Sequence, residues 1–391
     1  MKKNGILFRV ASGLLAAALT LSLTACGGSS SNSDASAAAD SGATHLRLIY
    51  SPSLCAAPMY IAIENGYFED EGLDIEQVTV DAAHVSEAIG ADQVDVGMGL
   101  IGKMLQPLEN GLPIKFTTGL HTGCTKLLVP GDSGIKSIAD LKGKKIGVPG
   151  LADAATVVSK RSLSAAGIGV TDQNMEVEFS VYSRNDLAQA LQNGAVDAIA
   201  LGDPAASIAE EQYGLTALID TATDPEYKDE YCCAAFVTSK LAEENPKAAA
   251  AFTRAVQKAS QWVQENPDET AKIITEKEYV SGDVDFCAQI LKTYNYKPSV
   301  QGGYDALKQN AKELTQIGVL KEGTDATKFA GNAYIFFDDV PDAPESDAST
   351  DTATKSTKAS SISFQPAAAE AENDCCSGKV VRPAKAADAK A

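Results

Sequence analysis

Ala88-Ile89-Gly90-Ala91-Asp92-Gln93-Val94-Asp95-Val96-Gly97 and Ala190-Leu191-Gln192-Asn193-Gly194-Ala195-Val196-Asp197-Ala198-Ile199 are one pattern written twice. In each, an Ala with an apolar neighbour stands six positions before a Val-Asp pair that leads into an apolar run. Such spacing fits the end of an amphipathic helix, a tight turn and a buried strand. Two copies in one chain predict two similar α/β lobes.

The flanking segments continue the alternation. Residues 46–50 and 74–80 are β-compatible, and 56–66 has helical spacing through Met59, Ile63 and, beyond, Tyr67. Between the copies, 138–141 fits a short helix and 145–148 a strand ending in Pro149-Gly150. Asp153 is placed to open a helix carrying Val157, Val158 and Leu163, with Gly167 as its stop. A strand end followed by a helix N-terminus is where open α/β sheets hold ligands, because the first-turn amides are unpaired; it is also an ordinary junction. After Tyr231 helices take over. Asn245-Pro246 and Asn266-Pro267 each pair an N-cap residue with Pro at the first helical position. Phe252, Val256, Ala259 and Val263 share a face of the first of these helices, and 304–317 predicts another, ending at Gly318. Lone Trp262 reads as a packing residue or lobe-surface anchor.

The two ends differ in composition. Lys2, Lys3 and Arg9 precede an uncharged run over 10–25, shorter than a membrane span of ~20 residues, so 1–25 reads as a cleaved signal segment. Leu23-Thr24-Ala25-Cys26 closes it in the pattern of a bacterial lipobox. That predicts lipidation of Cys26 and a lipid-anchored protein on the outer face of the cytoplasmic membrane or in the periplasm. Residues 26–43 are small and polar, a flexible tether, and 341–391, with Phe364 as their only aromatic, read as a disordered tail. The interval between them is long enough for two lobes with ample core.

The net charge is -19, and loss of the three signal cations would make it -22, which argues against nucleic acid as a partner. Eight cysteines, at 26, 55, 124, 232, 233, 287, 375 and 376, make disulfides possible outside the cytosol, although their spacing fixes no pairing.

Ser51-Pro52-Ser53-Leu54-Cys55-Ala56-Ala57-Pro58-Met59-Tyr60-Ile61-Ala62, continuing through Glu64-Asn65-Gly66-Tyr67-Phe68-Glu69-Asp70-Glu71-Gly72-Leu73, resembles the nitrate/taurine/aliphatic-sulfonate/thiamine-precursor family of ABC-transporter substrate-binding proteins. Val94-Asp95-Val96-Gly97, Leu141-Lys142-Gly143-Lys144-Lys145-Ile146-Gly147-Val148, Val196-Asp197-Ala198 and residues 241–251 follow in the family's order. The resemblance implies an α/β periplasmic-binding-protein fold, type II-like, with two lobes joined by two crossing strands around a cleft. By position, 126–129 and 232–238 would be the crossings. Lobe one would comprise 44–127 plus 231–340, and lobe two 128–230. A small solute, an ABC permease and its cytoplasmic ATPase would be the partners, the protein a monomer without cofactor, and binding rather than catalysis its role.

Carried over residue by residue, the family's ligand loops fall on Ser53, Leu54 and Cys55, on Ala82, Ala83 and His84, on Met98 and Gly99, and on 121–125 with His121, Cys124 and Thr125. On the second lobe they fall on Gly150 to Asp153, Arg184, Asp203 and Cys232. Cys55, His84, His121 and Cys124, with Cys232 or Cys233 near the hinge, would then meet in the cleft. Thiol and imidazole donors suit Zn, Ni or Cu, or a thiol-reactive solute; a Cys55–Cys124 disulfide or plain cleft lining are the other readings. Arg184 and Lys126 are the only cations placed nearby, and Asp153 and Asp203 either cap helices or face ligand. A neutral, amine-bearing or taurine-like zwitterionic solute is therefore as well supported as an anion.

Two further readings belong to other classes. Tyr231-Cys232-Cys233-Ala234-Ala235-Phe236 partly resembles the cysteine-rich motif of the thiamine-pyrimidine synthases that share this fold, but two of its thiols are missing. No Ser-His-Asp order, G-x-S-x-G, Walker loop or H-E-x-x-H pattern occurs. Cys375-Cys376 on the tail would suit metal capture or disulfide exchange.

Overall fold

The computed structural model describes residues 42–80 and 84–344. The signal segment, the lipidation position Cys26, residues Ala82 and Ala83, and all of the tail from 345 onward lie outside the described residues.

The first sheet takes β1 (Thr44–Tyr50), β2 (Leu73–Thr79), β3 (Val96–Leu100), β4 (Ile114–Thr122) and, from far along the chain, β12 (Tyr231–Thr238). Its order is β2-β1-β3-β12-β4; β1 runs parallel to β2 and β3, and β12 is antiparallel to both of its neighbours. The second takes β5 (Thr125–Pro130), β6 (Lys145–Val148), β9 (Glu178–Val181), β10 (Ala198–Gly202) and β11 (Leu215–Asp220), in the order β11-β5-β10-β6-β9. A small hairpin, β7 (Val170–Thr171) with β8 (Asn174–Met175), stands apart.

Helices supply the connections. In the first lobe these are α1 (Ala57–Glu64), α2 (Tyr67–Asp70), α3 (Val85–Gly90) and α4 (Ile101–Glu109). In the second they are α5 (Ala154–Ala165), α6 (Arg184–Gln192) and α7 (Ala205–Tyr213). After β12 the chain returns to the first lobe as α8 (Ser239–Glu244), α9 (Pro246–Glu265), α10 (Pro267–Glu276), α11 (Val284–Leu291), α12 (Val300–Gln316) and α13 (Ala326–Ala333). The Asn245-Pro246 signature works as read: Asn245 Oδ1 accepts from Ala248 N at 3.2 Å. Asn266 precedes α10 but makes no such cap; its Nδ2 donates to Trp262 O at 3.0 Å. Among the described residues, no helix is long and apolar enough to cross a membrane.

The repeated Val-Asp pair has one structural role in both lobes. Asp95 N donates to Arg47 O and Arg47 N to Asp95 Oδ2, both at 2.9 Å. Asp197 N donates to Lys145 O at 2.8 Å, and Lys145 N to Asp197 Oδ2 at 2.9 Å. Each aspartate thus pins the start of one central strand to the next, while β10 beyond it is buried throughout. Helix α1, apolar on nearly every side, is buried against α9, α10 and α2.

The segments expected as crossings, 126–129 and 232–238, lie wholly inside β5 and β12, one in each sheet. The passages come earlier, at Gly123-Cys124 and over 221–230. A left-handed residue makes the first turn abrupt: Gly123 has φ +68, and a Cβ there would meet Ala222 Cα at 2.5 Å. The two passages therefore press against each other. Thr221 Oγ1 stitches them, accepting from Cys124 N at 3.1 Å and Thr125 N at 3.0 Å and donating to Thr125 O at 3.0 Å.

Candidate functional site

A crevice of ≈ 40 Å³ opens between the lobes beside these passages. Leu100, Gly102, Asn310, Tyr231 and Cys232 line it from the first lobe, Thr125, Ala154, Val157 and Arg161 from the second, and Thr221, Tyr227 and Glu230 from the return passage. That volume holds a few waters, so an organic solute enters only if the lobes part.

Of the sequence-predicted residues, Thr125 and Cys232 line the crevice, and the rest sit in the surrounding strands, turns and helix starts. Ser53 Oγ accepts from Cys55 N at 3.1 Å, fixing the short turn 54–56 after β1. Leu54 is buried, and its carbonyl accepts from Tyr296 Oη at 2.7 Å, so it serves the core. Met98 and Gly99 pair with Ala235 and Ala234 across β3 and β12. Cys55 and Cys124 lie with Cys233 in one group of mutually close sulfurs, and His121 with Cys232 and Cys233 in a second. His84 is exposed at the start of α3 and belongs to neither. Burial pushes the His121 imidazole below its ordinary pKa and raises the Cys232 and Cys233 thiols well above theirs.

On the second lobe the helix start at Gly150 to Asp153 forms as read. Asp153 Oδ1 caps α5 by accepting from Ala155 N at 3.0 Å, while its Oδ2 pairs with Arg184 at 2.7 Å. Gly150 O accepts from Thr156 Oγ1 at 2.6 Å. Asp203 is buried, and its Oδ1 accepts from Ser207 N at 2.9 Å and Ser207 Oγ at 2.7 Å. Desolvation pushes its carboxyl up to about 6, against the pull of the Lys126 cation. Lys126 in turn reaches Glu210 at 2.7 Å and Asp220 at 3.7 Å. Both cations singled out in the sequence thus face carboxylates of their own lobe.

The sequence reading missed Arg161, Glu230, Asn310 and Thr221. Arg161, 5% exposed in its side chain, forks onto both Glu230 oxygens at 2.7 Å, and also pairs with Glu313 and Asn310 on α12. The available signal was its place four residues after Val157, on the face of α5 that packs inward. Nothing in the sequence marks Thr221, whose partners are all backbone groups.

The geometry agrees with comparisons to known proteins. Structurally the chain is similar to the periplasmic aliphatic sulphonate binding protein SsuA from Escherichia coli, with TM-score 0.61 and 16% identity over 82% of this chain and 99% of that one. In sequence it is 26% identical over 228 residues, 56% of this chain, to a Bacillus subtilis protein provisionally named as aliphatic sulfonates-binding. It is 27% identical over 264 residues, 60% of this chain, to the nitrate/nitrite binding protein NrtA of a Nostoc species. At 66% and 58%, these alignments stop short of two thirds of either relative's length. The profile of the family described as NMT1/THI5 like matches residues 55–270, more than half of the chain. The chain belongs to the NMT1/THI5-like family.

Proposed function

We propose that this chain is the extracytoplasmic solute-binding component of an ABC importer: it closes its two lobes over a small molecule and presents it, unchanged, to a permease driven by a cytoplasmic ATPase. The observation that carries this is the crevice itself, lined from both lobes beside the two stitched passages at Thr221 and Gly123. Closure over a solute is favoured by the contacts that the solute adds to the second lobe. Lobe limits of 44–127 plus 231–340 and 128–230 suit this reading once the first boundary is moved back to Gly123-Cys124, since all of β5 belongs to the second sheet; a lipid anchor at Cys26 and action as a monomer suit it too.

Relatives named for sulfonate and nitrate binding support a small polar solute. The charge layout favours a neutral, amine-bearing or zwitterionic solute over a simple anion, since Lys126 and Arg184 face carboxylates of their own lobe. Ser53, Met98, Gly99, Thr125, Gly150 and Cys232 are the proposed contacts, with Asp153 and Asp203 shaping the second-lobe side. Thermal-shift screening of the full chain tests this against sulfonates, taurine, nitrate, bicarbonate and thiamine pyrimidines. A solute at a hundred times its dissociation constant adds about 2.7 kcal/mol to stability. A flat response across the whole panel counts against the solute class.

A further inference from the structure

Five soft donor groups converge where the two passages meet the end of β4 and the turn after β1. Cys233 Sγ is within 4.8 Å of the Cys55 and Cys124 sulfurs in one group, and within 4.8 Å of Cys232 Sγ and a His121 ring nitrogen in the other. The Cys124 and Cys232 sulfurs are 3.4 Å apart, and Cys232 Sγ is 3.5 Å from His121 Nδ1. Sulfurs around one tetrahedral ion, each about 2.3 Å from the metal, stand roughly 3.8 Å from one another. Small rotations of these side chains therefore suffice to enclose an ion.

Four of the five residues, Cys55, Cys124, Cys233 and His121, are no more than 3% exposed, whereas Cys232 opens onto the crevice and supplies an entry. Among the described residues His121 Nε2 is buried without a hydrogen-bond partner, and its ring stacks on Tyr294 at 5.2 Å and 8°. Neither group contains a carboxylate. An all-sulfur and imidazole set selects thiophilic ions over hard ones such as Mg or Ca.

We propose that Cys55, Cys124, Cys232, Cys233 and His121 form a soft-metal site that takes one Cu(I) or Zn(II) ion through three or four of these donors. Uptake exchanges protons for metal: each thiol that ligates gives its proton to solvent and forms one metal–sulfur bond, while His121 ligates as the neutral imidazole. The ion would join Cys124 on one passage to Cys232 and Cys233 at the end of the other. This goes beyond the solute-binding reading and does not depend on it.

The test is an anaerobic titration of the reduced full-length chain carrying C26S, C375S and C376S, with Zn(II) and Cu(I) in separate arms against a chromophoric chelator. One ion per chain is expected in at least one arm, with thiolate-to-metal absorption in the ultraviolet for Cu(I). C233S, which removes the donor common to both groups, is expected to weaken binding a hundredfold or more. C287S removes a buried thiol outside the cluster and should leave it unchanged. If C233S fails to fold, C232S at the crevice edge carries the test, with at least a tenfold loss. Failure to bind either ion at micromolar concentration, undiminished affinity in C233S or C232S, or a Cys124–Cys232 disulfide that persists under reductant would each overturn the site. Cys232 is shared with the proposed solute contacts, so solute binding is read separately, by the thermal-shift panel on the metal-free wild-type chain.

Discussion

Arg161 of α5 grips Glu230 of the return passage with two hydrogen bonds of 2.7 Å, one to each carboxylate oxygen. The same guanidinium bonds Glu313 on α12, so one buried cation spans the second lobe, the return passage and the first lobe. It lines the crevice, and on the proposed reading it latches the two lobes together.

Replacing it exposes the cost of the arrangement. R161M leaves two carboxylates facing each other without their cation, a class of change that costs about 3–5 kcal/mol when the pair is buried. A Tm lower by several degrees is expected, with a larger radius of gyration by small-angle scattering. E313Q, which leaves the Glu230 fork intact, should lose clearly less; equal losses would argue against the fork as the main grip.

Gly123 sets the first passage. G123A must adopt φ +68 with a Cβ 2.5 Å from Ala222 Cα, so strain and overlap act together. Left-handed backbone costs about 1–2 kcal/mol for a residue with a Cβ, and the overlap adds to it. Urea unfolding should show a loss of at least that size, and a midpoint equal to wild type would mean that the passages do not touch in solution.

Asp203 makes stability depend on pH in a known direction. Its folded carboxyl titrates at about 6, above the ordinary value of about 3.9 in an unfolded chain. The folded state therefore binds more protons between those values, and this residue's contribution to stability declines as pH rises from about 4 to 6. D203N keeps an acceptor for Ser207 but cannot ionise. Relative to wild type it should gain stability across that window, by an amount of order 2 kcal/mol, read from denaturant curves at pH 4 and pH 7. A difference that stays constant with pH would contradict the burial assigned to this carboxyl.

Asp153 separates two functions of one side chain. D153A removes both the α5 cap, worth about 1 kcal/mol, and the carboxylate facing Arg184. D153N retains the acceptor for Ala155 N and loses only the charge. D153N is expected to melt between D153A and wild type; the reverse order would show that the cap is not formed.

Much of this was legible from local pattern. The Val-Asp repeat foretold two equivalent strand junctions, because Asp95 and Asp197 do their work on backbone groups of the neighbouring strand. Capping signals at Asp153 and Asn245 were read correctly for the same reason: their partners lie two or three residues away. What escaped was long-range. Arg161 and Glu230 are 69 residues apart, and only the folded chain brings them together. Of the thiol and imidazole groups expected to meet in the cleft, Cys55 and Cys124 gather with Cys233 and His121 gathers with Cys232 and Cys233, Cys232 lining the crevice, whereas His84 is exposed at α3. Lys126 reads in the sequence as a cation near the ligand, but nothing close to it in the chain betrays Glu210 and Asp220 as its partners.

Native mass spectrometry of the full chain with each candidate solute bears most directly on the hinged-lobe reading. One solute per chain, released with its mass unaltered and held less tightly when R161M loosens the lobes, is the expected result. Conversion of the solute by the protein alone, or no complex with any small molecule while the fold stays intact, would contradict it.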